Sequence, residues 1–166
     1  MPSQSDPWRG IDLDGPIQAE VFVVWLVGDT IEVTGPCGPE AWYIEATGEH
    51  PVDVVRGVVS NTIGEPELVH STSWRQGSDG VILSFLVVVE RSAVLPMASR
   101  PVRRAELARS GATAAPTAIG NDQVLEHALR HLAWLARDDE VVGARLSPAW
   151  REALSGYVPE PFRNLG

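Results

Sequence analysis

The sequence predicts an α/β fold, a single mixed β-sheet sandwiched by helices (α/β/α). Three observations predict it: strand-like and helix-like segments follow one another along the chain, residues 81–90 are almost continuously apolar, and the strongest helical pattern, 121–137, comes late. A strand that is apolar on both faces must be covered on each side. The predicted order is three strands, a helix, two strands, a long loop and two helices, and one sheet between two helical layers accounts for it.

Composition indicates one compact domain. The chain has 166 residues, of which 44% are hydrophobic and 21% charged, and a domain of this size buries enough surface to fold without metals or disulfides. Residues 1–16 are polar and rich in proline, so we expect a flexible N-terminal arm before a single domain at 17–166. Cys37 is the single cysteine and excludes a disulfide framework. No run resembles a membrane helix or signal peptide, so we expect a cytoplasmic protein with no membrane partner.

The net charge of −9 argues against nucleic acid as a partner, because such binding is normally built on clustered positive charge. We therefore expect a small molecule or a partner protein, with a homodimer left open. All thirteen basic residues are arginine, and several cluster within residues 91–109. We interpret this cluster as a solvated loop, and the alternative is a clamp for a phosphate or carboxylate.

The first three strands are predicted within residues 18–46. Residues 18–27 are rich in Val, Phe and Trp, and the turn Gly28-Asp29 returns the chain as 30–34, which predicts a hairpin. After a loop rich in glycine and proline, residues 41–46 form a third, short strand.

A helix is predicted from Pro51 to Ile63, where apolar residues recur at helical spacing. Proline suits the first helical position, and Gly64 would close the helix. Residues 67–75 then alternate between polar and apolar, a Gly/Ser/Asp turn follows, and residues 81–90 are apolar. This pattern predicts a second hairpin.

Two helices are predicted at the C-terminal end, after a long connection at 97–120. Asn121 is a suitable N-cap for a helix that reaches about Arg137. Ser147-Pro148 begins the second helix, and Gly156 ends it.

The segment from Gly48-Glu49 through Pro51 to Gly64 resembles, without a gap, part of the Nudix box, from its Gly-Glu turn to the glycine that closes its helix. The resemblance covers about seventeen residues and implies a Nudix-like fold. In that family the helix carries an arginine and several glutamates, whose carboxylates converge on Mg²⁺. The corresponding positions here are Gly57, Val58, Asn61 and Thr62.

These substitutions leave the resemblance without its metal-binding acids. The resemblance therefore implies a Nudix-like domain with a degenerate site that needs no cofactor or metal. It implies a module that binds a small ligand or a protein rather than a diphosphohydrolase.

The predicted strand from His70 to Arg75 combines hydroxyls with His, Trp and Arg, which is unusual for a core strand. Alternation places His70, Thr72 and Trp74 on one face and Ser71, Ser73 and Arg75 on the other. Such a strand could line a ligand pocket with Trp74 as its apolar wall. The alternative is a half-exposed strand whose hydroxyls meet water.

His127 and His131 are four residues apart on the strongest helix, so they lie side by side with Trp134 at the edge of its apolar face. Zinc helices with this spacing place a glutamate after the first histidine, where this chain has Ala128. We expect boundary histidines, and the alternatives are a role in facing a ligand or in binding a metal ion.

The predicted ligand-binding residues are thus His70, Thr72, Trp74, Arg75, His127 and His131. Two other hypotheses stay open. One is a hydrolase-type enzyme with a relocated site around His70, His127 and His131. The other is a structural or oligomerising subunit.

Overall fold

A computed structural model describes residues 16–34, 43–46, 48–90, 98–106 and 120–159. The strands are β1 (Ile17–Val27), β2 (Thr30–Thr34), β3 (Tyr43–Ala46), β4 (Leu68–Gln76), β5 (Val81–Val88) and β6 (Arg100–Pro101). The helices are α1 (Pro51–Thr62), α2 (Asn121–Asp138), α3 (Glu140–Arg145) and α4 (Pro148–Leu154). The N-terminal arm through residue 15, the glycine- and proline-rich loop with Cys37, and Arg91 and Arg109 of the 91–109 arginine cluster lie outside these residues.

The strands form one mixed sheet in the order β4-β5-β1-β2-β6, and β3 also pairs with β1. β1 runs parallel to β5 and antiparallel to β2 and β3. β3 meets the first half of β1 and β2 meets its second half. The α/β class with a single mixed sheet is therefore confirmed, and the apolar strand β5 lies inside the sheet as predicted.

Each face of the sheet carries its own apolar core. We call one the α2 face, where Phe22 of β1 and Leu86 of β5 pack with the C-terminal helices. On the other, the α1 face, Val21 and Phe85 pack with α1. Neighbouring residues of β1 and β5 point to opposite faces, and so one apolar strand serves both cores.

Both predicted hairpins are present. Gly28 has φ 64°, a conformation that favours glycine, at the turn between β1 and β2. α1 begins at Pro51 and is followed by Gly64 at φ 138°. Among the described helices, none is long and apolar enough to cross a membrane.

Three local features differ from the sequence analysis. Gly120, not Asn121, is the N-cap of α2, and its backbone N–H donates to Gln123 Oε1 at 3.0 Å. β6 is a two-residue strand on the edge of β2, too short to leave a periodic pattern. α3 begins after Asp139, whose carboxylate accepts from the backbone N–H groups of residues 141 and 142.

Candidate functional site

Strand β4 has an irregular register between Ser71 and Ser73, and this changes which side chains share a face. His70 lies opposite Leu86, on the α2 face, whereas Trp74 lies opposite Leu83, on the α1 face. An extra residue in one strand reverses the alternation beyond it. The prediction that His70 and Trp74 share a face is therefore wrong, and Arg75 shares the face of His70 instead.

Two other predicted ligand-binding residues of β4, Thr72 and Trp74, have different environments. Thr72 is fully buried, and its Oγ1 donates to the carbonyl oxygen of Ser84 at 3.2 Å. Trp74 is 47% exposed. The ligand-binding roles of both residues stay predictions.

Arg75 forms a bidentate ion pair with Glu20 of β1. Arg75 Nη2 donates to Glu20 Oε2 at 2.6 Å, Nη1 donates to Oε1, and Ser84 Oγ donates to Oε1 at 2.5 Å. The Glu20 side chain is 0% exposed and that of Arg75 is 26% exposed. Hydrogen bonding to Glu20 raises the pKa of Arg75, although burial acts in the opposite direction.

Tyr43 completes this group. It lies opposite Glu20 in the pairing of β3 with β1, so both side chains point to the α2 face. Tyr43 is 43% exposed. α2 covers the half of this face formed by Phe22 and Leu86, and the polar residues occupy the other half. We call this group the polar sheet face; it comprises Glu20, Tyr43, Arg75 and Ser84.

Sequence reasoning missed Glu20, Tyr43 and Ser84, although two of them left a signal. Glu20 is the one charged residue within 18–27, and Ser84 is the one polar residue within 81–89. A lone polar residue in an otherwise apolar strand needs a partner. The parallel pairing of Glu20 with Ser84 supplies one, but the sequence does not reveal this register.

The histidines form a second group on the same face. The ring centroids of His70 and His131 are 5.0 Å apart, and His131 stacks on Trp134 at 5.8 Å. Burial, with the charges of His70 and His127, lowers the pKa of His131 to about 4. Burial also lowers the pKa of His70. The His131 imidazole is therefore neutral at pH 7, and burial disfavours the charged form of His70.

This histidine group can form hydrogen bonds or stack on an aromatic ring, but it lacks the number of ligands that a metal site needs. The described residues contain no cluster of three His, Cys, Asp or Glu side chains placed to hold a metal ion. His70 Nε2 is buried and has no hydrogen-bond partner among them. The structure thus brings together His70 and His131, with His127 close enough to influence the pKa of His131.

Two arginines of the 91–109 cluster are tied to α2. Arg104 binds the fully buried Glu126 through Nε and Nη2, at 3.0 and 2.9 Å, and its guanidinium lies 4.1 Å from the ring centroid of Tyr157. Arg100 pairs with Asp122. These two side chains attach the segment 98–106 to α2. The solvated-loop and anion-clamp interpretations of the whole 91–109 cluster stay predictions.

Comparison with known proteins gives a likeness of fold alone. No protein-family model matches the chain, and no curated protein does. The crystal structure of Shewanella oneidensis NrtR matches with a TM-score of 0.54 and 13% identity, over 90% of this chain and 80% of that one. The structure of the same protein complexed with a 27mer DNA matches with a TM-score of 0.53 and 13% identity, over 89% and 78%.

These findings correct two expectations. The resemblance to a degenerate Nudix-like domain, drawn from Gly48, Glu49, Pro51 and Gly64, is contradicted. No family model matches, and what the comparisons support is a likeness of fold to NrtR. The matched residues form the turn before α1, its first position and its end. Many unrelated helices use glycine and proline at these places, so the match does not identify a family. The exclusion of nucleic acid is contradicted too, because a protein of this fold is found in complex with DNA.

Proposed function

We propose that the chain is a binding module that takes a small polar ligand at the polar sheet face. The observation that carries the proposal is the bidentate pair of Arg75 with a Glu20 carboxylate that is 0% exposed, beside an exposed tyrosine.

The energetics of this pair favour a role beyond stability. Removing a carboxylate and a guanidinium from water costs several kcal/mol per ion, and apolar residues of similar volume often stabilise a core as well or better. Such a pair at the centre of a sheet is therefore weak as a stabilising device. It does fix the Arg75 guanidinium in one orientation, with Nη1 also 3.5 Å from Ser84 Oγ. Tyr43 lies on the same face, close enough to add to the rise that Glu20 causes in the pKa of Arg75.

The chemistry of the face suggests the class of ligand. Glu20 offsets the charge of Arg75, so recognition would rest on directed hydrogen bonds more than on net charge. Tyr43 offers a flat ring and a hydroxyl. A planar molecule with a hydrogen-bond acceptor at its edge fits both groups.

The test is an NMR titration with a panel of nucleosides, nucleoside monophosphates and aromatic amides. We expect shifts confined to β1, β3, β4 and β5. Arg75→Lys, which loses the planar fork, should weaken binding about tenfold or more, equal to about 1.4 kcal/mol. The matched control is Arg56→Lys, which alters the exposed pair with Glu65. No saturable binding by any compound, or equal losses in the two variants, would overturn the proposal.

Nucleic-acid binding is a second candidate, favoured by the DNA complex of a protein with this fold. Arg137, Arg145 and Arg151 lie on the three C-terminal helices and form no ion pair with described residues. Fluorescence anisotropy with a 27-base-pair duplex tests this candidate. Affinity that falls steeply with salt and in all three Arg→Ala variants would support it, and no binding at low salt would exclude that duplex as a ligand.

The enzymatic hypothesis around His70, His127 and His131 stays a prediction, as does the cytoplasmic location. The His131 imidazole is a weak base, since burial lowers its pKa to about 4. That property suits hydrogen bonding to a ligand better than general-base catalysis near pH 7.

A further inference from the structure

A cleft between α2 and α4 combines an apolar floor with a basic rim. Its volume is about 160 Å³. Ala133, Ala136, Leu154 and Tyr157 provide the apolar part, and Arg137 and Arg151 provide the charge. It lies apart from the polar sheet face and shares no residue with it.

The two arginines differ from most others in the described part of the chain. Arg56, Arg75, Arg100, Arg104 and Arg130 each pair with a carboxylate. Arg137 and Arg151 make no such pair with the described residues, although the chain carries a net charge of −9. Arg151 Nη2 donates to the carbonyl oxygen of Gly143 at 2.6 Å, which holds its guanidinium at the rim.

The size of the cleft limits what it can hold. A cavity of about 150 Å³ lined by apolar side chains accommodates benzene, so the cleft as a whole has room for a group of about one six-membered ring. Two guanidinium groups at the rim match a carboxylate or phosphate, which arginine binds through paired hydrogen bonds.

We propose that this cleft binds a small organic anion, with one ring on the apolar floor and its phosphate or carboxylate between Arg137 and Arg151. The proposal does not depend on the polar sheet face. The ring distinguishes such a ligand from inorganic phosphate, and the anion distinguishes it from a neutral aromatic.

The experiment uses phenyl phosphate and benzoate as probes, with benzyl alcohol and inorganic phosphate as controls, and follows backbone amide shifts of the whole chain. We expect saturable binding of an anionic probe and much weaker binding of both controls. Arg137→Ala should weaken binding about fivefold or more, equal to about 1 kcal/mol. Arg137 makes no described ion pair, so this variant should fold normally. Arg151→Ala should weaken binding of the anionic probe to a similar extent.

Two further variants make the test decisive. Ala136→Leu fills the floor with a good helix former and should abolish binding. Arg145→Ala removes an exposed arginine that does not line the cleft and should leave binding unchanged. Arg75→Lys should leave the probe-induced shifts of α2 and α4 unchanged, which separates this cleft from the polar sheet face. Absence of saturable binding, normal binding by Ala136→Leu, or an equal loss in Arg145→Ala would each overturn the proposal.

Discussion

Buried charge is the main feature of this molecule at the residue scale. Glu20 and Glu126 are both fully buried, on a central strand and on the longest helix. Each is held by arginine: Glu20 by Arg75, and Glu126 by Arg104 and Arg130. Although burial opposes it, these arginines lower the pKa of Glu126 below its usual value. The Glu126 carboxylate is thus kept ionised by its partners.

The first prediction concerns Arg75→Leu. This change leaves the Glu20 carboxylate buried without its ion partner, and should lower the free energy of unfolding by about 3 to 5 kcal/mol. Urea unfolding at pH 7 measures the loss. The control is Arg56→Leu, which breaks the exposed pair with Glu65 and should cost about 1 kcal/mol or less. Similar losses in both variants would show that Glu20 is satisfied without Arg75.

The second prediction concerns pH and His131. Its pKa is about 4 in the folded chain against 6.5 for a free imidazole, so the unfolded chain takes up the proton more readily. The contribution to stability is complete above pH 6.5 and is lost as the pH falls toward 4. The loss is on the order of 3 kcal/mol. The groups facing His131 are His70, His127 and Trp134, with Asp139 acting on His70.

Urea unfolding between pH 7 and pH 4 tests this expectation. His131→Leu should flatten the fall in stability, whereas His50→Leu, at an exposed position before α1, should not. A pH dependence that His131→Leu leaves unchanged would contradict the assignment and leave the carboxylates as its source.

Strand β4 is the feature that matters most at the element scale. Its irregular register between residues 71 and 73 brings Arg75 to the α2 face, within reach of Glu20 and Ser84. Without it Arg75 would face α1, and the polar sheet face would lose its cation. Helix α1 has weak helix propensity, because it contains several valines and Gly57. Helix α2 is stabilised mainly by its apolar face.

The third prediction concerns Gly57 in the middle of α1. A Cβ added at this position meets no atom within 4 Å, and the backbone is helical. Gly57→Ala should therefore raise the free energy of unfolding by about 0.5 to 1 kcal/mol. Gly64→Ala is the control and should destabilise, since Gly64 has φ 138°. A destabilising Gly57→Ala would mean that α1 needs flexibility there.

The fourth prediction concerns the apolar face of α2. Leu129 is 0% exposed within the core of the α2 face, so Leu129→Ala should cost about 2 to 5 kcal/mol. Val141→Ala, at an exposed position in α3, should change stability by about 0.5 kcal/mol or less. Thermal and urea unfolding measure both. Equal costs would mean that α2 is rotated about its axis.

The arrangement of charge matters at the scale of the whole molecule. Acidic residues dominate the chain, and three of the described arginines fasten distant segments together. Arg100 and Arg104 attach the segment 98–106 to α2, and Arg75 joins β4 to β1. Two arginines without such partners face the cleft between α2 and α4.

The fifth prediction tests this fastening. Glu126 also accepts a hydrogen bond from the Ala105 backbone N–H at 3.4 Å. Glu126→Gln removes the charge that holds Arg104, so the Ala105 amide should exchange hydrogen faster while the amides of β1 and β5 stay protected. The control is Glu65→Gln, which removes an exposed pairing partner elsewhere. Unchanged exchange at Ala105 would show that the segment is held by other contacts.

The sequence by itself determined the types of the longer elements, both hairpins, the inner position of β5 and the apolar face of α2. Each of these depends on periodicity or on turn residues, which are local properties that one segment records. Only the tertiary structure decided that Arg75 meets Glu20 and Ser84, that His70 meets His131, and that Trp74 lies on the other face. A register shift and the pairing of strands distant in sequence depend on two segments at once, so neither segment alone specifies them.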